Sequence, residues 1–331
     1  MYSDEDLNQA VSKGVLTSQS VTAFRQFVEQ SKKQYRQDEE NFRLITGFND
    51  IFVVIACALV LASIGWLTQH TGHFAGSLAF SAAAWGLAEF FVLRRRMALP
   101  AIGLLLAFLG GLFATPLMMA STPHPQWFML SGLLTAIGGW LHWRRFHVPV
   151  TVAAGVAGAG FAVFAMLAAN RMISPDWIEA ALFACGLLVF AVAMYWDSSD
   201  KERITRRSDV AFWLHLLAAP LLVHPIFSAL GILSGSADLN SMVIVLAVYL
   251  VLGLVSIAVD RRALMVSALG YVIYALSNLF DTFGMVQANF AMTGLVIGSV
   301  LLLLSAFWHQ ARQVVVNVLP LPLRSHLPIS Q

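Results

Sequence analysis

Charge is what this sequence has least of. Asp, Glu, Lys and Arg together make up 11% of its 331 residues, against roughly a quarter in soluble domains. That shortage excludes a soluble enzyme, a nucleic-acid binder and a disordered chain. The formal net charge of +2 leaves no basic excess for a polyanionic partner, so no nucleic acid is expected. Cysteine is almost missing. Cys57 and Cys185 lie far apart inside apolar runs and read as small hydrophobes, which excludes a disulfide framework. Enzyme signatures are missing too: there is no His-Glu-x-x-His, no Walker A loop and no paired intramembrane carboxylates. His70 and His73 have a spacing that binds metals on a helix, but their loop has no cysteine or acidic ligand. The chain therefore reads as a non-enzyme with no cofactor and no metal.

What the sequence has in quantity is apolar surface. Hydrophobic residues make up 58% of it, and the mean hydropathy is +0.74. A helix needs about 20 mostly apolar residues to cross a bilayer. Ten runs meet that need: residues 51–67, 74–93, 98–120, 127–143, 148–169, 177–196, 210–230, 241–259, 263–280 and 288–308. Each is apolar on all sides, whereas a membrane barrel strand alternates over about ten residues. The expected fold is an all-α integral membrane protein. It has ten transmembrane helices in residues 49–310, a cytosolic helical head in 1–48 and a cytosolic tail in 311–331.

Charge placement supports the count. Arg94, Arg95 and Arg96 follow the second run, and Arg144 and Arg145 the fourth. Lys201, Arg203, Arg206 and Arg207 follow the sixth, Arg261 and Arg262 the eighth, and Arg312 and Arg324 the tenth. With the six in the N-terminal segment, every Lys and Arg except Arg171 falls on one side. The positive-inside rule then places both termini in the cytoplasm of a bacterial inner membrane. Eight of the nine tryptophans lie near run ends, where an indole is half wet, and only Trp85 lies deep. The acidic start Ser3-Asp4-Glu5-Asp6 does not read as a cleavable signal peptide.

The head reads as a helical hairpin. Leu7, Ala10 and Val11 recur at helical spacing, Gly14 ends the first helix, and Thr17 or Ser18 caps a second. Leu7, Val11, Val21, Phe24 and Val28 are expected to be buried together. So short a segment must dock, either on its own membrane domain, on a second copy or on a protein partner through residues 1–45. The segment Ala10-Val11-Ser12-Lys13-Gly14-Val15-Leu16-Thr17 resembles the heads of bacterial polytopic membrane proteins catalogued as domains of unknown function. That resemblance implies a polar head before a multi-span domain and carries no activity or catalytic residue.

Two parallel four-helix units, 74–169 and 177–280, share features. Thr115-Pro116-Leu117 matches Ala219-Pro220-Leu221, and His124-Pro125 matches His224-Pro225. Similar interface ends on all even spans account for the likeness equally well, and a five-plus-five inverted division competes with it.

Ionisable residues at membrane depth are candidate functional groups. Glu89 lies one turn before Arg94, where it can also snorkel or pair with an arginine. The seventh run holds His215, Pro220 and His224-Pro225. Proline removes an N–H and frees carbonyls, and irregular backbone at depth must face protein or a cavity. His215, Pro220, His224 and Glu89 are thus the candidate substrate-binding residues. If the kink is structural, it should pack on small residues, with Gly155 to Gly160 as its expected neighbours. The leading functional expectation is a transporter or permease of a small solute, regulated through the head. The alternative is a non-catalytic membrane scaffold or sensor.

Overall fold

A computed structural model describes residues 7, 10–24, 26–27, 48–68, 73–120, 122, 124–201, 203, 205–231, 239–284, 289–324 and 327. Among these, every regular element is a helix. The bundle helices are α1 (Phe48–Thr68), α2 (His73–Ala88, continued by a π turn Glu89–Arg94), α3 (Ala98–Met119), α4 (Pro125–Phe146) and α5 (Val150–Ala169). They continue with α6 (Ile178–Ser198), α7 (Arg206–Ala229), α8 (Leu239–Val259), α9 (Ala263–Thr282) and α10 (Asn289–Ala306). Two short helices follow, α11 (Trp308–Val318) and α12 (Leu321–Arg324).

Among the described residues, nine helices are long and apolar enough to cross a membrane. The helix outside that set is α4. It is 22 residues long, but it carries Gln126, His142, Arg144 and Arg145. It nevertheless packs inside the bundle between α3 and α5.

Local chemistry sets the helix ends. Pro125 starts α4 at its first position, where no intrahelical N–H is needed. Thr205 caps α7 by accepting a hydrogen bond from the Arg207 N–H at 3.2 Å. At the end of α8, Asp260 takes the left-handed conformation (φ 60°), and the Arg261 N–H returns to the Ser256 carbonyl at 2.9 Å. Asp tolerates this conformation better than most residues. The turn matters because it sends the Asp260 and Arg261 side chains into different layers of the same cluster.

The helices pack most closely as neighbours in sequence: α2 on α3, α4 on α5, α6 on α7. Glycine explains the tightest of these. A Cβ on Gly132 would sit 2.7 Å from the Gly158 carbonyl and the Ala162 nitrogen, and one on Gly139 2.9 Å from the Gly155 Cα. Such backbone approach is available only to small residues. Gly155 and Gly158 therefore serve the α4–α5 seam. The expectation that the proline segment of α7 packs against them is corrected: α7 runs as one helix through Pro220 and Pro225, and its close approach there is to Gly186 on α6, where an added Cβ would meet Leu221 at 2.9 Å.

The hub of the bundle is α7, which packs on α5, α6 and α9, with 56% of its most apolar stretch buried. α10 is the opposite case, at 6%. It is held by α9 and by α11, whose Trp308, Arg312 and Val316 are buried.

The head is described in part. Gly14 has φ +70°, and the Val15 N–H reaches back to the Ala10 carbonyl at 2.9 Å, so the first helix ends as its sequence suggests. Thr17 Oγ1 accepts from the Ser20 N–H at 3.1 Å and starts the second. Val21 is buried, but Phe24 is 45% exposed and Phe27 65%. Phe24 is thus not the core residue that its spacing suggested, because the described part of the head brings no second apolar layer over it. Val28 and residues 28–47 lie outside the described residues, as do His70 and the side chain of His73.

Candidate functional site

The densest polar chemistry in the described structure is a buried cluster at the arginine-rich end of the bundle. It begins with Asp197, one residue before the end of α6 and fully buried. Asp197 continues a buried face that runs Gly186, Val189, Ala193, Asp197, so the helix carries it inward with its apolar neighbours. A buried carboxylate requires compensation, and α7 and the α8–α9 turn supply it. His215 Nε2 on α7 lies 3.0 Å from Asp197 Oδ2. Arg261, in the α8–α9 turn, donates from Nη2 to Oδ1 at 2.6 Å and from Nε to Oδ2 at 3.2 Å. Its Nη2 also reaches the Ser208 carbonyl and hydroxyl at 3.1 and 3.2 Å. The guanidinium fork makes this two-point grip, which a lysine cannot copy.

A second layer is built on Asp260. Arg203 Nη1 donates to its Oδ2 at 2.7 Å, Trp308 Nε1 to its Oδ1 at 2.7 Å, and Arg312 Nε lies 3.8 Å away. Burial acts to raise the Asp260 pKa. The Arg203 charge, then Arg312, the Trp308 hydrogen bond and Arg261 outweigh it, and the carboxyl is held below the usual range. Alongside, Asp200 Oδ2 accepts from the Thr205 N–H and hydroxyl at 2.9 and 2.6 Å, fixing the loop that starts α7. The two layers tie α6, α7, the α8–α9 turn and α11 into one unit.

The opposite end of the same α6–α7 hairpin carries a smaller polar group. His224 Nδ1 lies 2.8 Å from the Tyr271 hydroxyl, and its Nε2 lies 3.9 Å from Glu179 Oε1. The Ser228 hydroxyl donates to the same Glu179 oxygen at 3.3 Å. The hairpin therefore has a carboxylate on α6 facing a histidine on α7 at each end.

The four sequence candidates are not gathered into one site. His215 joins the inner cluster and His224 the outer group. Pro220 lies between them on an exposed face of α7, while Pro225 is buried. Glu89 belongs elsewhere. It accepts two hydrogen bonds from Arg145, 2.8 Å from Nε and 2.7 Å from Nη2, and so links the π turn after α2 to the end of α4.

Sequence reasoning missed Asp197, Asp260 and Arg261 as a unit. It also missed His142. That ring is fully buried among Trp85, Phe108 and Phe146, with centroids 5.8, 5.8 and 4.4 Å away, and its Nδ1 lies 3.1 Å from the Thr151 hydroxyl. The signal for Asp197 was its place on the face of Ala193 and Val189. It lies one residue beyond an apolar run, where an acid beside basic residues passes for a solvated interface group. Among the described residues, no group of three or more His, Cys, Asp or Glu could hold a metal ion. The sequence matches no protein-family model, no curated protein and no solved structure.

Proposed function

We propose that this chain is a ten-span protein of a bacterial inner membrane, with both termini in the cytoplasm, that transports a small solute by rocking the α6–α7 hairpin. The observation that carries this reading is the pairing of a carboxylate with a histidine at both ends of that hairpin, Asp197 with His215 and Glu179 with His224. Between the two pairs lies the close approach of Gly186 to Leu221, one residue beyond Pro220. Proline leaves a carbonyl without its helical partner, and a small residue opposite lets a helix move as a rigid body against its neighbour. Transporters commonly change access through such broken or kinked helices.

The test is flux. Purified protein is placed in liposomes, and a panel of neutral, anionic and cationic small metabolites is offered outside while uptake and internal pH are followed. Uptake of one solute class that is lost in Gly186→Leu, with the protein still folded and monodisperse, is the expected result. No flux in any class would overturn the reading.

A second reading is favoured by the head. Phe24 and Phe27 present two aromatic rings to solvent on the described part of its second helix, and exposed aromatics of this kind suit a partner surface. A membrane scaffold or sensor would retain a specific partner through the head and show no flux.

A further inference from the structure

Four arginines lie around the Asp197–Asp260 cluster: Arg203, Arg261 and Arg312 face its two carboxylates, and Arg262 faces away. The Arg262 side chain is exposed, and its guanidinium carbon lies 4.8 Å from the centre of the Trp308 ring. Trp308 is itself 4% exposed and fixed by its hydrogen bond to Asp260. The ring is therefore a rigid platform that holds Arg262 by a cation–π contact, while the Arg262 side chain stays exposed. Among the described residues, no carboxylate forms an ion pair with it.

Directly beneath this arginine is a groove of about 120 Å³ between α8, α9 and α10, open along the bundle surface. It is lined by Arg262, Ser305 and Trp308, and by Leu269, Leu301 and Tyr249 further along their helices. Arg262 and Trp308 stand at the arginine-rich ends of their helices, and Leu269, Leu301 and Tyr249 lie further toward the middle of the bundle. A cation over an apolar slot on the outer surface of a membrane helix bundle matches one kind of molecule, with a negative head and a hydrocarbon tail.

We propose that Arg262, Trp308 and the groove below them form a binding site for an anionic phospholipid of the arginine-rich leaflet. The phosphodiester pairs with Arg262, the Ser305 hydroxyl donates to a head-group oxygen, and one acyl chain lies along Leu269 and Leu301. The occupant also covers the seam between α10 and the rest of the bundle, where α10 has little packing of its own. This site does not depend on transport.

The fold supplies its own control. Arg144 lies over the Trp140 ring at 5.2 Å, a similar cation–π pair at the same end of the bundle, but neither residue lines the groove. The experiment measures partitioning of a fluorescent phosphatidylglycerol and a fluorescent phosphatidylcholine onto the full-length protein in nanodiscs of phosphatidylcholine. Wild type is expected to prefer phosphatidylglycerol. Arg262→Gln should lower that preference about five-fold, the weight of one guanidinium beside an anionic head group, while Arg144→Gln should leave it unchanged. Leu301→Trp, which fills the groove and keeps the charge, should lower occupancy by both lipids. Glycerol 3-phosphate and inorganic phosphate should not compete at equal concentration. Equal loss in the Arg262 and Arg144 variants, no loss in either, or full competition by the free phosphates would each overturn the assignment. A melting curve of each variant shows whether it is folded. If Arg262→Gln fails to fold, Leu301→Trp and the competition arm still decide.

Discussion

Asp197 and Arg261 stand 64 residues apart in the chain and meet through two hydrogen bonds, with 0% and 4% of their side chains exposed. Removing one member of such a pair leaves a buried charge with no counterpart, which costs about 3–5 kcal/mol. Asp197→Ala should therefore melt far below wild type in detergent. Replacing the pair with apolar residues, Asp197→Leu with Arg261→Met, should recover most of the loss. An unchanged melting curve in the single variant would show that the pair does not stabilise the fold.

Acid should act on the second layer. Asp260 has a folded pKa below its unfolded value, so its contribution to stability is fully present above the unfolded value, near 4, and is lost as pH falls through the lower, folded one. Wild type should lose stability on acidification below about pH 4. In Asp260→Asn that part of the slope should disappear, with lower stability at neutral pH. Parallel pH–stability curves for the two proteins would contradict this.

The α4–α5 seam offers a test with matched controls. A methyl group at Gly132 would meet backbone atoms that cannot yield, so Gly132→Ala should destabilise by about 1–3 kcal/mol, the usual range for overpacking. Gly110 and Gly270 have nothing within 4 Å of an added Cβ. Alanine there should be neutral, or stabilising through helix propensity. Thermal melts of the three variants decide the matter.

Glu89 and Arg145 form a well-aligned pair whose side chains are 34% and 54% exposed. Exposed pairs of this kind contribute little, so Glu89→Gln should leave melting and any measured flux unchanged. A large loss of flux with normal melting would return Glu89 to the substrate path.

The proposed topology has a direct readout. A reporter fused after Gln331 and one inserted between Asp197 and Asp209 should both report the cytoplasm, and one at Ser236 the periplasm. A periplasmic C-terminus would break the ten-span arrangement.

Most bundle helices were legible because nine of the ten are written as long apolar runs among the described residues. The observed ends, such as Ala98–Met119 and Ala263–Thr282, lie within a few residues of the apolar stretches that announced them. The break at Phe307 was not legible. Hydropathy runs on smoothly from α10 to Trp308, and only packing shows that Trp308 begins a separate helix that docks by Trp308, Arg312 and Val316. The inner cluster stayed hidden for a related reason. Hydropathy treats Asp197, Asp260 and Arg261 as ends of runs, and three-dimensional pairing alone reveals that they are interior groups. The two prolines of α7 stood out, but the helix that meets them was misread. The run Ala157-Gly158-Ala159-Gly160 on α5 is conspicuous, and the single Gly186 that meets Leu221 is not.

One consequence of α11 concerns the order in which the chain is made. Asp260 receives Arg203 from a segment synthesised before it, and Trp308 and Arg312 from one synthesised only after α10. A ribosome that has just delivered α9 has thus produced both carboxylates and two of their arginines, but not the groups that close the second layer. Until α11 leaves the exit tunnel, Asp260 has Arg203 but neither Trp308 nor Arg312. A chain truncated before Trp308 would keep Asp260 and Arg203 but lose the two groups that complete the second layer, and would carry an open, charged seam there.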